Sequence, residues 1–227
     1  MKATIAILCP VLNRAHRVVP LVESVRAASR VTPCETVFLC SPGDDAEIEA
    51  CRAVETDDVT VTVVPFENGP GDWSRKINYG FAHTETPFVF TGADDLRFRP
   101  GWAERAIATY LETGACVVGH NDLGHGGTAT GEHSTHFFVC REYGECGTID
   151  EPDSGKIVPE CYGHWFPDAE AIAVAKARRT YAHAADCIIE HEHPNWGKAV
   201  MDDTYRRGQA TIAQDRALFE LRRRLWT

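Results

Sequence analysis

Short apolar runs alternate with amphipathic helical patterns over the first 95 residues, and this alternation leaves the chain few possible folds. The apolar runs predict strands at residues 4–9, 36–40, 59–64 and 88–91. The stretches between them predict helices at residues 18–28, 46–54 and 72–81. Strands that alternate with helices at this interval form a parallel sheet with right-handed crossovers. We therefore predict a doubly wound, Rossmann-like half over residues 1–95.

The remainder of the chain predicts a mixed sheet rather than a second parallel half. Strands are expected at residues 115–119, 135–140 and 185–191. Helices are expected from Pro100-Gly101 to about residue 111, at 169–179, and at 202–225 with Asp202 as the N-cap. Residues 144–163 are rich in Gly, Pro and acidic residues, and we expect a loop over the site. No linker or repeat divides the chain, so we predict an α/β fold with one domain over residues 1–227.

Composition argues against several classes of protein. A net charge of −10 disfavours broad binding to a nucleic-acid backbone, which requires clustered basic residues. The hydrophobic content of 44% is sufficient for the core of a soluble globular protein. The apolar opening stretch is interrupted by Pro10 and is too short to span a bilayer. The nine cysteines include no CxxC pair, which argues against structural zinc. Their odd number and the lack of a signal peptide predict reduced thiols in the cytoplasm.

Acidic residues and histidines follow two of the predicted strands. Asp94 and Asp95 come after the strand at 88–91, and His191 and His193 lie at the end of the last predicted strand. Open α/β sheets bind ligands in the crevice at the carboxyl ends of their strands, and carboxylate with imidazole is a ligand set suited to Mn²⁺. The pattern favours a divalent ion that holds a phosphorylated ligand. A tight Asp-Asp turn and solvated surface histidines are the alternative.

Four segments together resemble family 2 glycosyltransferases of the GT-A fold. They are Pro10-Val11-Leu12-Asn13-Arg14, Asn78-Tyr79-Gly80, Ala93-Asp94-Asp95 and Glu190-His191-Glu192-His193-Pro194. The resemblance covers nearly the whole chain and implies a nucleotide-binding half at 1–95 and an acceptor and metal-completing half at 96–227. It implies a nucleotide diphosphate sugar as donor, Mn²⁺ or Mg²⁺ as cofactor, and an inverting, hexosyltransferase-like reaction. The chain also resembles small glycosyltransferase-like proteins of actinobacteriophages, which implies action in the cytoplasm of a host.

The Asp-x-Asp motif of that family is altered in this chain. Gly92 occupies its first position, so the resemblance implies Asp94 as the metal ligand and Asp95 as the shifted partner that contacts the nucleotide. The missing acid implies weaker metal binding, a water in its place, or a different nucleotide. The acid that the family places after the second strand to contact the base is Cys40 or Ser41 here, which leaves a preference for uridine open.

The late histidines belong to a strand in which alternate residues face the same side. His191 and His193 therefore point together towards the crevice, and Glu190 and Glu192 point away. We predict His193 as the second metal ligand, and His191 as a neighbour that orients His193 without binding the ion itself.

Further contacts to the donor are predicted in loops and in one helix. The predicted nucleotide-binding residues are Pro10, Asn13, Arg14, Lys76, Asp95, Trp196 and Lys198. The family holds its nucleotide at the loop after the first strand, where Arg14 is expected to reach a phosphate or the base. Gly197 allows the late loop to fold over the ligand, with Lys198 meeting a phosphate. For both lysines the alternative is a solvated surface position.

Transfer to a hydroxyl group requires a general base. The resemblance implies Asp168, which follows His164-Trp165-Phe166-Pro167 at a helix start, and the aromatic pair offers a sugar a stacking face. Glu170 is the reserve, and a helix N-cap is the structural alternative for Asp168. His136 and Arg141 flank a late strand and are predicted on the acceptor side. The acceptor is left open among a protein, a small molecule and a modified DNA base.

Other functions remain open at the level of sequence. A nucleotidyltransferase uses a similar sheet, but it needs a glycine-rich basic loop after the first strand, and residues 10–14 contain no glycine. A dehydrogenase is disfavoured because no G-x-G-x-x-G follows that strand. A non-catalytic module that binds a nucleotide sugar without turnover is the remaining alternative.

Overall fold

One mixed sheet of eight strands organises the computed structural model, which describes residues 2–227. The strands are β1 (Ile5–Pro10), β2 (Cys34–Cys40), β3 (Val59–Val63), β4 (Phe88–Thr91), β5 (Leu96–Phe98), β6 (Val117–Asn121), β7 (Phe137–Cys140) and β8 (Tyr181–His191). The helices are α1 (Ala15–Ala28), α2 (Asp45–Arg52), α3 (Asp72–Ala82), α4 (Trp102–Thr113), α5 (Gly126–Thr130), α6 (Pro167–Ala177) and α7 (Asp203–Arg222). Short 3₁₀ turns cover Arg141–Cys146, Pro194–Trp196 and Arg223–Leu225. The strand order is β3-β2-β1-β4-β7-β6-β8-β5.

The first half is parallel, as the alternation of strands and helices predicts. β1 pairs in parallel with β2 and β4, and every residue of β1 is buried. Alternate β1 residues face opposite layers: Ile7 packs with α1 residues such as Leu21, and Leu8 packs with α3 residues such as Ile77. Burial on both faces explains why β1 reads as a continuous apolar run. The ends of β1 and β4 therefore open at one edge of the sheet, where Arg14 and the Asp94-Asp95 pair follow them.

The second half is mixed, and β8 connects its parts. β7 runs antiparallel to both β4 and β6, which ends the parallel pattern. β8 pairs in parallel with β6 at its start and antiparallel with β5 at its end, with an irregular register opposite His120 and Asn121. β8 begins four residues earlier than its apolar pattern predicts. Two short elements were not predicted. β5 has only three residues, and the α5 sequence Gly-Gly-Thr-Ala-Thr contains few helix formers.

The segment predicted as a loop over the site is irregular, but most of it packs elsewhere. Ile157 and Val158 are buried in the layer formed with α3. The Asn78 side chain accepts hydrogen bonds from the N–H groups of both residues, at 3.0 and 3.2 Å. The prediction is therefore wrong for this part of the segment, because its apolar residues complete a core layer. The chain reaches the site only just after this segment, where the ring of Trp165 lies 6.4 Å from that of His193.

The last helix, α7, holds residues 163–165 in place. Asp215 is buried and accepts hydrogen bonds from the N–H groups of Gly163, His164 and Trp165 at 2.7–2.9 Å. At the start of α7, Asp202 accepts from the N–H of Tyr205 at 2.9 Å, so the predicted N-cap is confirmed. α7 therefore carries Tyr205 to the crevice at one end and holds the 163–165 loop along its middle.

Two further observations bear on the class of protein. Within residues 2–227, no helix is both long enough and apolar enough to cross a membrane. All nine cysteines are free thiols, five of them buried.

Candidate active site

Arg14 lies at the bottom of the crevice, in the loop after β1. Its Nη1 is 2.9 Å from Asp94 Oδ1 and 3.8 Å from Asp95 Oδ2, and its Nε is 2.9 Å from Asp202 Oδ2. The guanidinium also stacks on the ring of Tyr205 at 3.7 Å. Burial opposes the charge of Arg14, but Asp94 and Asp202 outweigh it and raise the pKa of Arg14. A fixed cation thus joins the end of β1, the acid pair and the start of α7.

Asp95, His136 and His191 form a three-residue cluster beside this arginine. Each offers one ligand atom, and these atoms lie within 4.8 Å of one another. Asp95 Oδ2 is 3.3 Å from His191 Nε2 and accepts a hydrogen bond from the Tyr205 hydroxyl at 2.8 Å. One carboxylate and two imidazoles are a donor set that suits Mn²⁺ and related divalent ions.

The two histidines of this cluster have nitrogen atoms available for an ion. His136 Nδ1 lies 2.8 Å from the carbonyl oxygen of Thr91. Because a carbonyl only accepts, Nδ1 carries the proton and Nε2 keeps a free lone pair. His191 Nδ1 is buried and has no hydrogen-bond partner among the described residues. An orphaned buried nitrogen and a neutral imidazole are consistent with a metal site.

The electrostatics favour the metal-binding protonation state of His136 and Asp95. For His191, burial lowers the pKa, but Asp95 outweighs it and raises this pKa. Burial and the nearby His191 lower the pKa of His136 to about 4, so His136 is neutral at physiological pH. Burial would raise the pKa of Asp95, but His191 and Arg14 outweigh it and hold this pKa low. Burial raises the pKa of Asp94 to about 7, against the lowering effect of Arg14. Asp95 is therefore the carboxylate of the pair that keeps its negative charge more firmly.

This geometry favours a different set of metal ligands from the predicted pair, Asp94 and His193. Asp94 Oδ1 is paired with Arg14 Nη1 at 2.9 Å, whereas Asp95 Oδ2 lies 3.3 Å from His191 Nε2. The reason is the missed strand β5, which pairs Leu96 with His191 and so brings the preceding acid to that histidine. His193 lies beside the cluster, with its ring 5.1 Å from that of His191. Both predicted residues do lie on the same side of the molecule, where Arg14 and Tyr205 separate them.

The altered motif has a cause in the backbone. The N–H of Gly92 donates to the carbonyl oxygen of Leu8 at 2.7 Å. A Cβ at position 92 would lie 2.8 Å from that oxygen, which is closer than side chains approach. The close contact between β1 and the end of β4 therefore excludes an aspartate at this position.

Asp168, the predicted base, lies in the first turn of α6 after Pro167. Its Oδ2 is 3.2 Å from His133 Nε2, and the side chain is 22% exposed. The N-cap of α6 is Phe166, so Asp168 does not serve as the cap. Burial would raise the pKa of Asp168, but the charge and hydrogen bond of His133 outweigh it and hold the pKa below its ordinary value. The reserve, Glu170, is fully engaged by Tyr162 and Arg222.

Several residues predicted to contact the nucleotide are bound to other groups of the protein. Lys76 is fully buried, and its Nζ lies 2.8 Å from both the carbonyl oxygen of Val11 and Asp72 Oδ2. The structure therefore corrects this prediction, because Lys76 supports the loop after β1 from below and does not reach the crevice. Pro10 is buried as the last residue of β1. Asn13 has a left-handed backbone, φ 54°, and donates its N–H to Asp44 at 2.8 Å.

The predicted late loop packs against the connection between β6 and β7. The ring of Trp196 lies 5.7 Å from that of His125. Lys198 Nζ contacts the carbonyl oxygen of Leu123 at 3.0 Å and Glu190 at 2.8 Å. These contacts hold the loop next to the site, and Lys198 carries a partner of its own.

Other residues differ from their predicted positions or were not assigned. His136 was placed on the acceptor side and instead joins the cluster with Asp95. Arg141 is bound to the carbonyl oxygens of Phe81 and Thr86, away from the crevice. His133 was not assigned a role, because nothing in its immediate sequence distinguishes it from a surface histidine. Tertiary contacts alone reveal these roles.

A parallel half that ends in a crevice of arginine and acidic residues, completed by imidazoles from a mixed half, is the arrangement expected of an α/β protein with the GT-A fold. The sequence model of Glycosyl transferase family 2 matches residues 6–167, and the chain belongs to this family. The comparison with curated proteins finds no match.

Solved structures of two enzymes show a similar fold. S. aureus TarS 1–349 has a TM-score of 0.59 at 15% identity, covering 81% of this chain and 58% of TarS. Its complex with UDP-GlcNAc gives 0.61 at 13% identity, over 93% of this chain and 66% of that one. Glucosyl-3-phosphoglycerate synthase from Mycobacterium tuberculosis, in complex with Mn²⁺, UDP and glucosyl-3-phosphoglycerate, gives 0.56 at 16% identity, over 93% and 78%. The chain thus spans less than two thirds of TarS 1–349, and at these identities the likeness concerns the fold.

Proposed function

We propose that this chain is a metal-dependent, inverting glycosyltransferase that moves a sugar from a nucleotide diphosphate to a hydroxyl acceptor. The observation that carries the proposal is the cluster of Asp95, His136 and His191 beside Arg14, at the carboxyl edge of the parallel half. Membership of Glycosyl transferase family 2 supports the reaction class. The structures of similar fold that contain UDP-GlcNAc, or Mn²⁺ with UDP, support a nucleotide-sugar donor.

Asp95, His136 and His191 would hold the divalent ion in this proposal. When bound, the ion neutralises charge on the leaving diphosphate. Mn²⁺ is the favoured ion because imidazole nitrogen is a better ligand for it than for Mg²⁺. Tyr205 positions the Asp95 carboxylate through its hydroxyl group, and Thr91 positions His136 through its carbonyl oxygen.

Arg14 supplies a permanent positive charge to the same crevice. Its guanidinium is paired with Asp94 and Asp202, and these bonds keep it oriented without a ligand. A pre-oriented cation lowers the cost of placing a diphosphate there, because no side chain must be ordered on binding. Asp94 therefore acts through Arg14 in this proposal rather than on the ion.

Asp168 accepts the proton of the acceptor hydroxyl in this proposal. Its pKa is below the ordinary value, so the carboxylate is ionised at neutral pH. The acceptor oxygen forms a bond to the anomeric carbon as the bond to the diphosphate breaks, which inverts that centre. The ring of Trp165, which lies near His193 and shortly before Asp168 in the chain, offers a face on which a sugar can stack.

Release of nucleoside diphosphate tests the proposal. Purified protein with Mn²⁺ and a panel of nucleotide sugars is expected to release nucleoside diphosphate from at least one donor, and a chelator is expected to abolish the release. Asp168→Asn should lower turnover by about 10²- to 10⁴-fold with nucleotide binding unchanged. Asp186→Asn is the matched control, because Asp186 is an exposed acid paired only with Arg105.

Two results would contradict the proposal. Tight binding of a nucleotide sugar without release from any donor would favour a non-catalytic binding module. Full activity of Asp168→Asn would remove the assigned base and leave the metal site standing.

A further inference from the structure

His133 contacts the proposed base from a different part of the chain. It follows α5 in the connection between β6 and β7, whereas Asp168 lies at the start of α6. Its Nε2 is 3.2 Å from Asp168 Oδ2, and its side chain is 17% exposed.

The connection that carries His133 is built around a buried carboxylate. Asp122 is fully buried and accepts hydrogen bonds from the N–H groups of Gly124 and His125 and from the hydroxyl of Thr128, at 2.6–2.9 Å. The Thr135 hydroxyl donates to its second oxygen at 3.0 Å. A fully satisfied buried network of this kind makes the loop rigid. Rigidity at this point is what a positioning residue needs.

His133 is tied to that rigid loop by its own backbone. Its N–H donates to the carbonyl oxygen of Gly127 at 3.0 Å. Its ring also packs edge-on against that of His125, with centroids 4.9 Å apart. The imidazole is therefore held on two sides before it reaches Asp168.

The backbone two residues before Asp168 adopts an uncommon conformation. Phe166 has φ 74°, a left-handed conformation that is uncommon for an aromatic residue. Strain of this kind concentrates at functional sites, where the surrounding structure maintains it. Phe166 is the N-cap of α6 and immediately precedes Pro167 and Asp168.

His133 is not required to attach the loop to the rest of the molecule. Lys176 of α6 donates to the carbonyl oxygens of Gly131 and Glu132, both at 2.9 Å. His183 of β8 contacts the carbonyl oxygen of Thr128 at 2.8 Å. The loop is thus anchored to α6 and β8 by other bonds, so the contact between His133 and Asp168 calls for a different explanation.

We propose that His133 is a positioning residue for the base: its Nε2–H holds Asp168 Oδ2 and leaves Oδ1 directed towards the acceptor hydroxyl. This inference rests on the proposed glycosyl transfer and adds a residue to it. The hydroxyl proton passes to Oδ1 while the acceptor oxygen bonds to the anomeric carbon. The electron pair of the breaking bond leaves with the nucleoside diphosphate. His133 keeps its own proton throughout.

Three variants test the inference in the full-length chain. His133→Leu removes the donor and is expected to lower kcat by about ten- to a hundredfold with KM for the nucleotide sugar within about twofold. His133→Gln keeps an N–H donor near the Nε2 position and is expected to restore most of that loss. His183→Leu is the matched control, because it removes a bond to the same loop without touching Asp168. Thermal melts of all three establish that they fold.

A double variant separates this role from a general effect on the site. If His133 acts only through Asp168, then His133→Leu lowers kcat no further in the Asp168→Asn background. A full additional loss there would overturn the inference. Equal losses in His133→Leu, His133→Gln and His183→Leu would also overturn it, because they would assign His133 to holding the loop.

An NMR titration of the His133 ring checks the contact without any turnover. Burial lowers the pKa of His133, but Asp168 outweighs it and the net pKa is raised, so Asp168→Asn should lower it. The other charged or titratable groups that face this ring are His125, Asp122 and Lys176, which the substitution leaves in place. An unchanged pKa would overturn the inference, whereas a wild-type chain that transfers no sugar would overturn the proposed function itself.

Discussion

At the scale of the residue, two buried basic side chains near the crevice have different roles. Arg14 and Lys76 are both buried near the end of β1, but they have different partners. Arg14 faces the crevice and meets Asp94, whereas Lys76 lies beneath the loop and meets Asp72. The sequence predicts a basic residue near the nucleotide in both cases. Only the direction of each side chain decides which one a ligand can reach.

Lys76→Met is expected to affect stability rather than nucleotide binding. It leaves Asp72 and the carbonyl oxygen of Val11 without their partner, and loss of one member of a buried ion pair costs about 3 kcal/mol. Chemical denaturation should show this loss in the free energy of unfolding, with nucleotide affinity of the folded fraction preserved. Unchanged stability with weakened nucleotide binding would instead restore the predicted phosphate contact. Arg75→Met, one residue away and partly exposed, is the control.

At the scale of the element, α7 organises the site from outside the parallel half. Asp202 caps its first turn while pairing with Arg14, and Tyr205 meets Asp95. Ten residues further on, Asp215 gathers the N–H groups of residues 163–165, close to the start of α6. The same helix thus positions the crevice and the segment that leads into Asp168.

Asp215→Asn should destabilise the protein in a pH-dependent way. Burial would raise the pKa of Asp215, but its backbone hydrogen bonds outweigh it and lower the pKa. A carboxylate with a lowered folded pKa stabilises fully above its unfolded pKa of about 4, and this stabilisation is lost as the pH falls through the folded pKa. At pH 7 the variant should lose about 1–3 kcal/mol of unfolding free energy.

Unfolding measured from pH 7 down to pH 3 checks this expectation. The difference between Asp215→Asn and the wild type should shrink below about pH 4. Asp203→Asn on the same helix is the control, since its side chain is 92% exposed. A difference that stays constant over the whole range would mean that the charge of Asp215 contributes nothing.

The elements themselves were largely predictable, and the exceptions have physical causes. The strands and helices of the first half follow from apolar periodicity, as in β1, which is buried on both faces, and α1, which is buried on one. β5 escaped prediction because its three residues are too few to show a period. Because β5 was missed, the contact between Asp95 and His191 was missed as well: it depends on the pairing of Leu96 with His191. Side chains that meet through tertiary contacts, such as His133 and Asp168, carry no local signal.

At the scale of the whole molecule, the proposed metal site is assembled from three distant parts of the chain. Asp95 follows β4, His136 precedes β7, and His191 ends β8, so each ligand comes from the end of a different strand. Their meeting depends on the order of strands in the mixed half, where β7 lies next to β4. The parallel half supplies Arg14 and the acid pair, and the mixed half supplies both imidazoles. Neither half alone contains the cluster.

Calorimetric titration of Mn²⁺ into the wild type and two histidine variants, with nucleoside diphosphate present, tests the assignment of the ligands most directly. His136→Ala removes a proposed ligand and should weaken Mn²⁺ binding by at least about tenfold, whereas His193→Ala should leave the Kd within about threefold of the wild type. The reverse order, with His193→Ala losing the ion and His136→Ala keeping it, would contradict the cluster of Asp95, His136 and His191.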